Sequence, residues 1–375
     1  MTPISHNIGI LGAGQLGRML AMAGYPLGQR FGFYGDAPDA PAARLGHLFA
    51  HDQVDTLDRL TAWADVITYE SENTDLAQIQ AIEAAGVPVY PGAASLYNSQ
   101  HRGREKALFN ELGIPTAPWR VVTSLAELRQ AVADIGVPSI LKTTTEGYDG
   151  KGQFRLNAIS DVDVAWRAVG EREAILEGFV TFKRELSMVA VRGREGEMAF
   201  YPLVENHHHE GILRLTLAPA EGISPDVRQA AQRYVRDLMG RLNHVGVLTL
   251  ELFETEKGLV ANEMAPRVHN SGHWTMEGAL TSQFENHIRA ITGLPLGSTQ
   301  PVTPWCAMIN IIGDTGPVAE VLRLSGVHLH LYDKAPRAGR KLGHINVVAR
   351  SRTERNKLLQ ALQGFVPDGL IGKIA

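Results

Sequence analysis

An apolar run over residues 7–11 breaks abruptly into the glycine-rich turn G-A-G-Q-L-G at 12–17, and residues 18–23 then favour a helix. The change of period predicts strand, tight turn, helix. A second strand over 30–34 ends at Asp36, and further strands are expected at 66–69 and 87–90. A parallel sheet of about four strands fits this alternation. Residues 100–112 read as a helix stopped by Gly113, with Pro115 beyond it, and mark the first boundary. Between 116 and 191 short strands and Gly-rich turns suggest a small α+β subdomain with a mobile loop at 143–152. Ser224 caps a helix that has Pro225 at its first position and a buried stripe of Val227, Ala231, Tyr234, Leu238 and Leu242. Strands follow at 247–253 and 259–265. Beyond Pro301, strand-like runs at 308–312 and 328–332 and a last helix over 353–362 predict a third, smaller domain. No internal repeat or low-complexity tract interrupts the pattern.

With 375 residues, 44% hydrophobic and 20% charged, the chain is long enough for more than one core. Lys plus Arg total 36 against 40 for Asp plus Glu, so no global positive field exists to hold nucleic acid or an anionic membrane. An anionic ligand must be met locally. Cys306 is the single cysteine, which excludes an intrachain disulfide, and beside Trp305 in an apolar run it reads as core. Residues 1–7 lack a charged start followed by an apolar run, and nowhere do roughly eighteen apolar residues come together, so a soluble cytoplasmic protein is expected.

Several segments could carry chemistry. The turn at 12–17 places free N–H groups at a helix start, where a phosphate can bind. With Asp36 it also has the spacing of a dinucleotide fingerprint, so an oxidoreductase stays open, as does a turn that only packs strand on helix. Lys142 ends an apolar strand and leads into a loop holding Gly147, Tyr148, Asp149, Gly150, Lys151, Gly152 and Gln153. Three glycines let the backbone fold over phosphates, to which Lys142 and Lys151 offer charge; a solvated hairpin tip is the alternative. The strand before Glu177 and Gly178, with Glu185 further on, could supply acceptors for adenine and ribose, although most acids at strand ends are simply solvated.

Glu251 and Glu263 carry the strongest local inference. If residues 256–258 form the hairpin loop with Gly258 left-handed, Glu254 pairs with Val260 and Glu251 with Glu263. Opposed carboxylates repel unless a cation such as magnesium lies between them and the phosphates. A loop of another length would split them, and Asn262 would need a bulge to join them. Next comes a polar stretch in which Arg267 could take bicarbonate, while His269 and His273 could donate to oxyanions. In the tail, Arg337, Arg340, Lys341 and His344 would suit a phosphomonoester. Of His207, His208 and His209, consecutive and without a cysteine, only His208 is expected to reach a ligand. Arg102 and Lys106, four apart on a helix, fit surface salt bridges as readily as nucleotide contacts.

In this order the segments resemble the 5-(carboxyamino)imidazole ribonucleotide synthases of bacterial and fungal purine synthesis. The resemblance runs nearly end to end through G-A-G-Q-L-G-R-M-L at 12–20, E-G-Y-D-G-K-G-Q at 146–153, N-E-M-A-P-R-V-H-N-S-G-H-W at 262–274 and Y-D-K-A-P-R-A-G-R-K-L-G-H at 332–344. It implies mixed α/β and α+β architecture: a Rossmann-like pre-ATP-grasp domain over 1–100, an ATP-grasp fold over 101–300 and a small C-terminal domain over 301–375. It implies carboxylation of the exocyclic amine of 5-aminoimidazole ribonucleotide by bicarbonate, through carboxyphosphate, with ATP and Mg2+ and in a homodimer. ATP would meet Arg102, Lys142, the 147–153 loop, Glu177, Gly178, Phe179, Val180, Glu185, His208, Asn262 and Glu263, with Glu251 and Glu263 on the metal. The ribonucleotide would meet Gly14, Gln15, Leu16, Glu70, Asn270, Ser271, Arg337, Arg340 and Lys341, with Tyr148, Arg267, His269, His273 and Lys341 acting on it. One departure is Ser71, where the family usually has an aromatic residue after the acid. Rival readings are a formate-using ligase acting on glycinamide ribonucleotide, the dinucleotide-dependent oxidoreductase and an ATP-binding regulatory module without turnover.

Overall fold

The computed structural model describes residues 5–35, 37–51, 53–145 and 152–373. Strands β1 (Asn7–Leu11), β2 (Arg30–Gly35), β3 (His47–Ala50) and β4 (Val66–Tyr69) form a parallel sheet in the order β3-β2-β1-β4. The fourth strand is therefore β3 and not 87–90, which is held only by a bridge between Ile67 and Val89. Pro88 explains the difference, since a residue without an N–H cannot complete a ladder.

A second sheet joins β5 (Trp119–Val122), β6 (Ser139–Thr143), β7 (Gln153–Leu156) and β8 (Ala174–Gly178) in the order β5-β8-β6-β7, with its own core around Leu128, Leu141, Trp166 and Leu176. This subdomain ends at Gly178, short of the expected 191, because the next strand belongs to the large sheet. That sheet comprises β9 (Arg184–Arg192), β10 (Met198–Phe200), β11 (Val204–His209), β12 (Ile212–Ala218), β13 (Gly246–Thr255), β14 (Gly258–Ala265), β15 (Trp305–Ile312), β16 (Val327–Leu331) and β17 (Lys341–Ala349). Its order is β14-β13-β9-β11-β12-β15-β17-β16, with β10 on β9. The tail thus extends the central sheet through β12 and β15, while packing a core of its own around Ile309, Ile345 and Leu359. Cys306, also on β15, is buried in a different core, with Trp274 and Met308. The helix Pro225–Arg241 is capped by Ser224, whose hydroxyl accepts from Val227 N; Ala231, Tyr234, Leu238 and Leu242 are buried, and Val227 is only partly so.

The first sheet is fixed to the large one by apolar packing of helix Gln15–Gly24 and by two buried histidines. His287 Nε2 lies 2.9 Å from Thr68 Oγ1, and His244 Nδ1 lies 2.9 Å from Ser95 Oγ. Burial pushes His287 down to about 3 and His244 down to about 4. Both rings are neutral when folded, whereas in the unfolded chain they take up protons below about pH 6.5. Their stabilisation is complete above that pH and is lost as pH falls toward the folded values, by up to about 1.4 kcal/mol per pH unit for each ring. The urea midpoint is therefore expected to drop between pH 6.5 and 5, and H287Q, whose amide cannot charge, to flatten that slope. A slope unchanged in H287Q would show that His287 does not drive it.

Candidate functional site

A cleft of about 690 Å³ opens where the first sheet, the small subdomain and the large sheet meet. Its floor is the β13–β14 hairpin. Thr255 pairs with Gly258 and Glu254 with Leu259, so the loop is the two residues Glu256 and Lys257, not the three expected. That register alone would separate the two acids. A bulge restores them: Leu250 pairs with Met264 and Leu252 with Ala261, which leaves Glu251 facing both Asn262 and Glu263. Asn262 hydrogen-bonds the Glu251 carboxylate. Burial and then the Glu263 charge push Glu251 up to about 7, the mark of two acids crowded together.

Helix Arg102–Glu111 braces this bulge from behind. Arg102 Nη1 donates to Glu263 Oε2 at 3.0 Å and Arg102 Nε to Thr143 O at 3.2 Å. Glu105, buried and pushed up to about 8 chiefly by desolvation, accepts from Met264 N at 2.7 Å. Lys106 is also buried and donates to Asn262 O at 2.6 Å, so the surface-pair reading of Arg102 and Lys106 gives way to structural contacts.

Glu177 is not an open acceptor for adenine. Its oxygens lie 3.1 Å from Lys106 Nζ and 3.1 Å from Lys142 Nζ; burial alone would raise it, but the two ammoniums hold it at about 2. The next two N–H groups are also committed, Gly178 to Pro118 O and Phe179 to Pro138 O, so free backbone for a base starts at Val180. Phe182 stacks on Phe253 at 4.7 Å on the cleft wall, an apolar platform of the kind a base needs. Gly152 is left-handed and its carbonyl accepts from Thr143 N; Gln153 pairs with Lys142 and lines the cleft. Gly147, Tyr148, Asp149, Gly150 and Lys151, like Asp36, lie outside the described residues.

A bulge between His207 and His208 sends their rings apart. His207 meets Glu205 at 3.2 Å, while His208 turns into the cleft, where Glu185 lies 2.9 Å from its Nδ1. Burial alone would lower His208, yet Glu185, then Glu251 and Glu263, raise it overall. Among the described residues no three His, Cys, Asp or Glu side chains are grouped to hold an ion, so a cation would share Glu251 and Glu263 with its ligand's oxygens.

At the opposite wall the glycine turn is already filled. Glu70 accepts from Gly14 N at 2.5 Å and Gly17 N at 2.8 Å, taking the helix-start groups a ligand phosphate would need. A Cβ on Gly14 would come within 2.6 Å of that carboxylate, and Gly12 stands at φ +120°. Gly14 thus contacts Glu70, whereas Gln15 and Leu16 reach the cleft. Lys334 donates to Gln15 Oε1 at 2.5 Å and is pushed down to about 8 by burial and Arg340, with Glu70 opposing. Ser71 builds the adjoining turn, its Oγ accepting from Asn73 N.

Arg267 is likewise engaged. Glu72 receives its Nε at 2.5 Å and Nη2 at 2.9 Å, so a bicarbonate must displace or share that carboxylate. His269 Nε2 lies 3.3 Å from Glu251, and burial followed by the Arg267 charge lowers it to about 3. Its Nδ1 meets Ser271 Oγ at 2.8 Å, so the fully buried Ser271 supports the ring and does not line the cleft. Asn270 lines the cleft, and both polar atoms of its amide are buried without a hydrogen-bond partner among the described residues. His273 lines the same wall with Nδ1 held by Gln283 at 3.1 Å, and burial drives it well below the usual range.

Lys341 and Tyr332 complete this end of the cleft. Arg337 is exposed and Arg340 half-buried on the adjoining loop, where Arg340 donates to Ala335 O. His344 does not belong with them: it is fully buried on β17, bonded to Tyr332 Oη at 2.7 Å and stacked on His330. The cause is that β17 is buried on both faces from Leu342 to Val347, so His344 is enclosed whichever way it points. Glu72, Lys334, Phe182 and Phe253 carry no local signal, because each acts through a partner distant in sequence.

The ribonucleotide synthetase preATP-grasp domain matches residues 5–100, the ATP-grasp domain 107–284 and the phosphoribosylaminoimidazole carboxylase C-terminal domain 306–358. The N5-carboxyaminoimidazole ribonucleotide synthase of Pseudomonas aeruginosa is 50% identical over 362 residues, 96% of this chain and 99% of that one. That of Brucella melitensis is 45% identical, over 90% of this chain and 95% of its own. Among solved structures, the Thermus thermophilus synthetase superposes with a TM-score of 0.91 at 48% identity, covering 96% of this chain and 99% of that one. The Aspergillus clavatus enzyme in complex with ADP and 5-aminoimidazole ribonucleotide gives 0.88 at 31% identity, covering 96% and 98%.

Proposed function

Because the chain belongs to the N5-carboxyaminoimidazole ribonucleotide synthases, an ATP-grasp ligase family, we propose that bicarbonate is its one-carbon substrate and Glu251 and Glu263 its magnesium ligands. The reaction is the ATP-dependent carboxylation of the exocyclic amine of 5-aminoimidazole ribonucleotide. The observation that carries the proposal is the bulged pair Glu251 and Glu263, two crowded carboxylates at the floor of a cleft that also holds Lys142 and Arg267. Hard cations favour such oxygens, and Mg2+ there would neutralise the phosphates of ATP.

Lys142 offers its ammonium to the same phosphates and spreads charge as bicarbonate oxygen attacks the γ-phosphorus and ADP leaves. The product of that attack is carboxyphosphate. Arg267, loosened from Glu72, grips its carboxylate while Asn270 and Lys341 hold the ribonucleotide. Cleavage of its C–O bond releases inorganic phosphate and leaves carbon dioxide in place, away from bulk water, where the amine nitrogen bonds to the carbon and gives up one proton. His269, His273 and Tyr148 are proposed to touch the reacting groups; the two neutral rings can donate or accept there without bringing a charge. The nucleotide is assigned to Arg102, Gln153, Val180, Glu185, His208 and Asn262, with its base against Phe182 and Phe253.

The oxidoreductase reading is disfavoured where Glu70 occupies the N–H groups of Gly14 and Gly17 that a dinucleotide would need. No helix among the described residues is long and apolar enough to cross a membrane. We also propose a cytoplasmic homodimer, which sedimentation would check. The deciding assay follows ADP release with magnesium and ATP, comparing aminoimidazole ribonucleotide plus bicarbonate with glycinamide ribonucleotide plus formate. Release is expected only with the first pair, giving an acid-labile product. Release with aminoimidazole ribonucleotide that is independent of added bicarbonate in carbonate-depleted buffer would overturn the one-carbon assignment.

A further inference from the structure

We propose that Lys106 is a positioning residue: it serves as the permanent counter-charge of Glu177, so that Lys142 can leave that carboxylate for the nucleotide phosphates. Glu177 is 5% exposed and bridges two ammoniums, Lys106 Nζ on Oε2 and Lys142 Nζ on Oε1, each at 3.1 Å. The two lysines are not equivalent. Lys142 stands on β6 and lines the cleft, whereas Lys106 is 2% exposed and is not part of the lining. Lys106 is also anchored from the other side by Asn262 O at 2.6 Å and Ala261 O at 3.4 Å, so it stays with Glu177 when Lys142 moves.

A buried carboxylate stripped of its sole cation is strongly disfavoured. With Lys142 as the only partner, each phosphate contact would leave Glu177 uncompensated, and the carboxylate would compete with the nucleotide for one ammonium. With Lys106 in place, Glu177 keeps a partner throughout. The same lysine ties the carbonyls beside the Asn262 and Glu263 bulge to β8 of the small subdomain. The inference rests on the reading of Lys142 as a phosphate ligand.

The test is calorimetric titration of the full chain with ADP and with adenosine, without magnesium, so that the ratio of the two affinities isolates the phosphate contacts. K106M is expected to weaken ADP binding by about tenfold or more while adenosine binding stays within about twofold, the scale of one charge-assisted contact. K106R should hold the wild-type ratio, and K106M/E177Q should regain it, because the carboxylate that captures Lys142 is then neutral. Equal weakening of both ligands in K106M, or no change in either, would overturn the inference. If K106M does not fold, the comparison is K106M/E177Q against E177Q, whose ratios must agree; a tenfold lower ratio in the double variant would defeat the idea. K142M separates the two readings: a ratio unchanged in K142M removes the phosphate role of Lys142, while a lowered ratio there with none in K106M removes only the role of Lys106.

Discussion

Glu263→Gln is expected to lower kcat by at least about a thousandfold, roughly 4 kcal/mol of lost transition-state stabilisation, while the protein remains folded. The amide keeps an oxygen for Arg102 but no charge for a cation. Stability should not suffer, because Glu263 is one of the groups that push the neighbouring Glu251 upward. A Tm equal to or above that of the wild type, together with lost turnover, is the expected signature in calorimetry and ADP-release assays. Near-normal kcat would remove the metal role; a Tm lowered by several degrees would make Glu263 a scaffold residue instead.

Arg267→Met is expected to cost both activity and stability. Losing the charge that holds the carboxyl end of the intermediate should reduce kcat at least about a hundredfold. The stability loss should be about 2–4 kcal/mol, below that of a fully enclosed pair because the cleft admits water. Its origin is Glu72: burial would raise this carboxylate, but Arg267 holds it at about 2, and without the guanidinium it is stranded. Adding E72Q to R267M should therefore recover most of the urea midpoint and none of the kcat. Recovery of activity in the double variant would show that Arg267 serves only to neutralise Glu72.

Much of the architecture was legible locally. The strand and turn at 7–17, the Ser224 and Pro225 helix start and the strands on either side of residues 256 and 257 all follow from short-range backbone rules, and all are present. Where those rules ran out, the cause was a long-range partner. The edge strand His47–Ala50 is too short to announce itself, and its pairing is with β2. The bulge that faces Glu251 with Asn262 and Glu263 is invisible to hairpin counting, since a two-residue loop predicts separation.

Charge was the least legible quantity. Glycines 14 and 17, Glu177, Arg267 and His344 each carry a residue type suited to a ligand, and each is already met by another side chain of this protein: Glu70, the lysines 106 and 142, Glu72 and Tyr332. The sequence by itself determined which chemical groups are present, the order of the elements and, through motifs spread along nearly the whole chain, the family. The tertiary structure alone decided which of those groups face the cleft and which are neutralised inside it, because a buried charge must find a partner and that partner is chosen by three-dimensional proximity, to which spacing along the chain is blind.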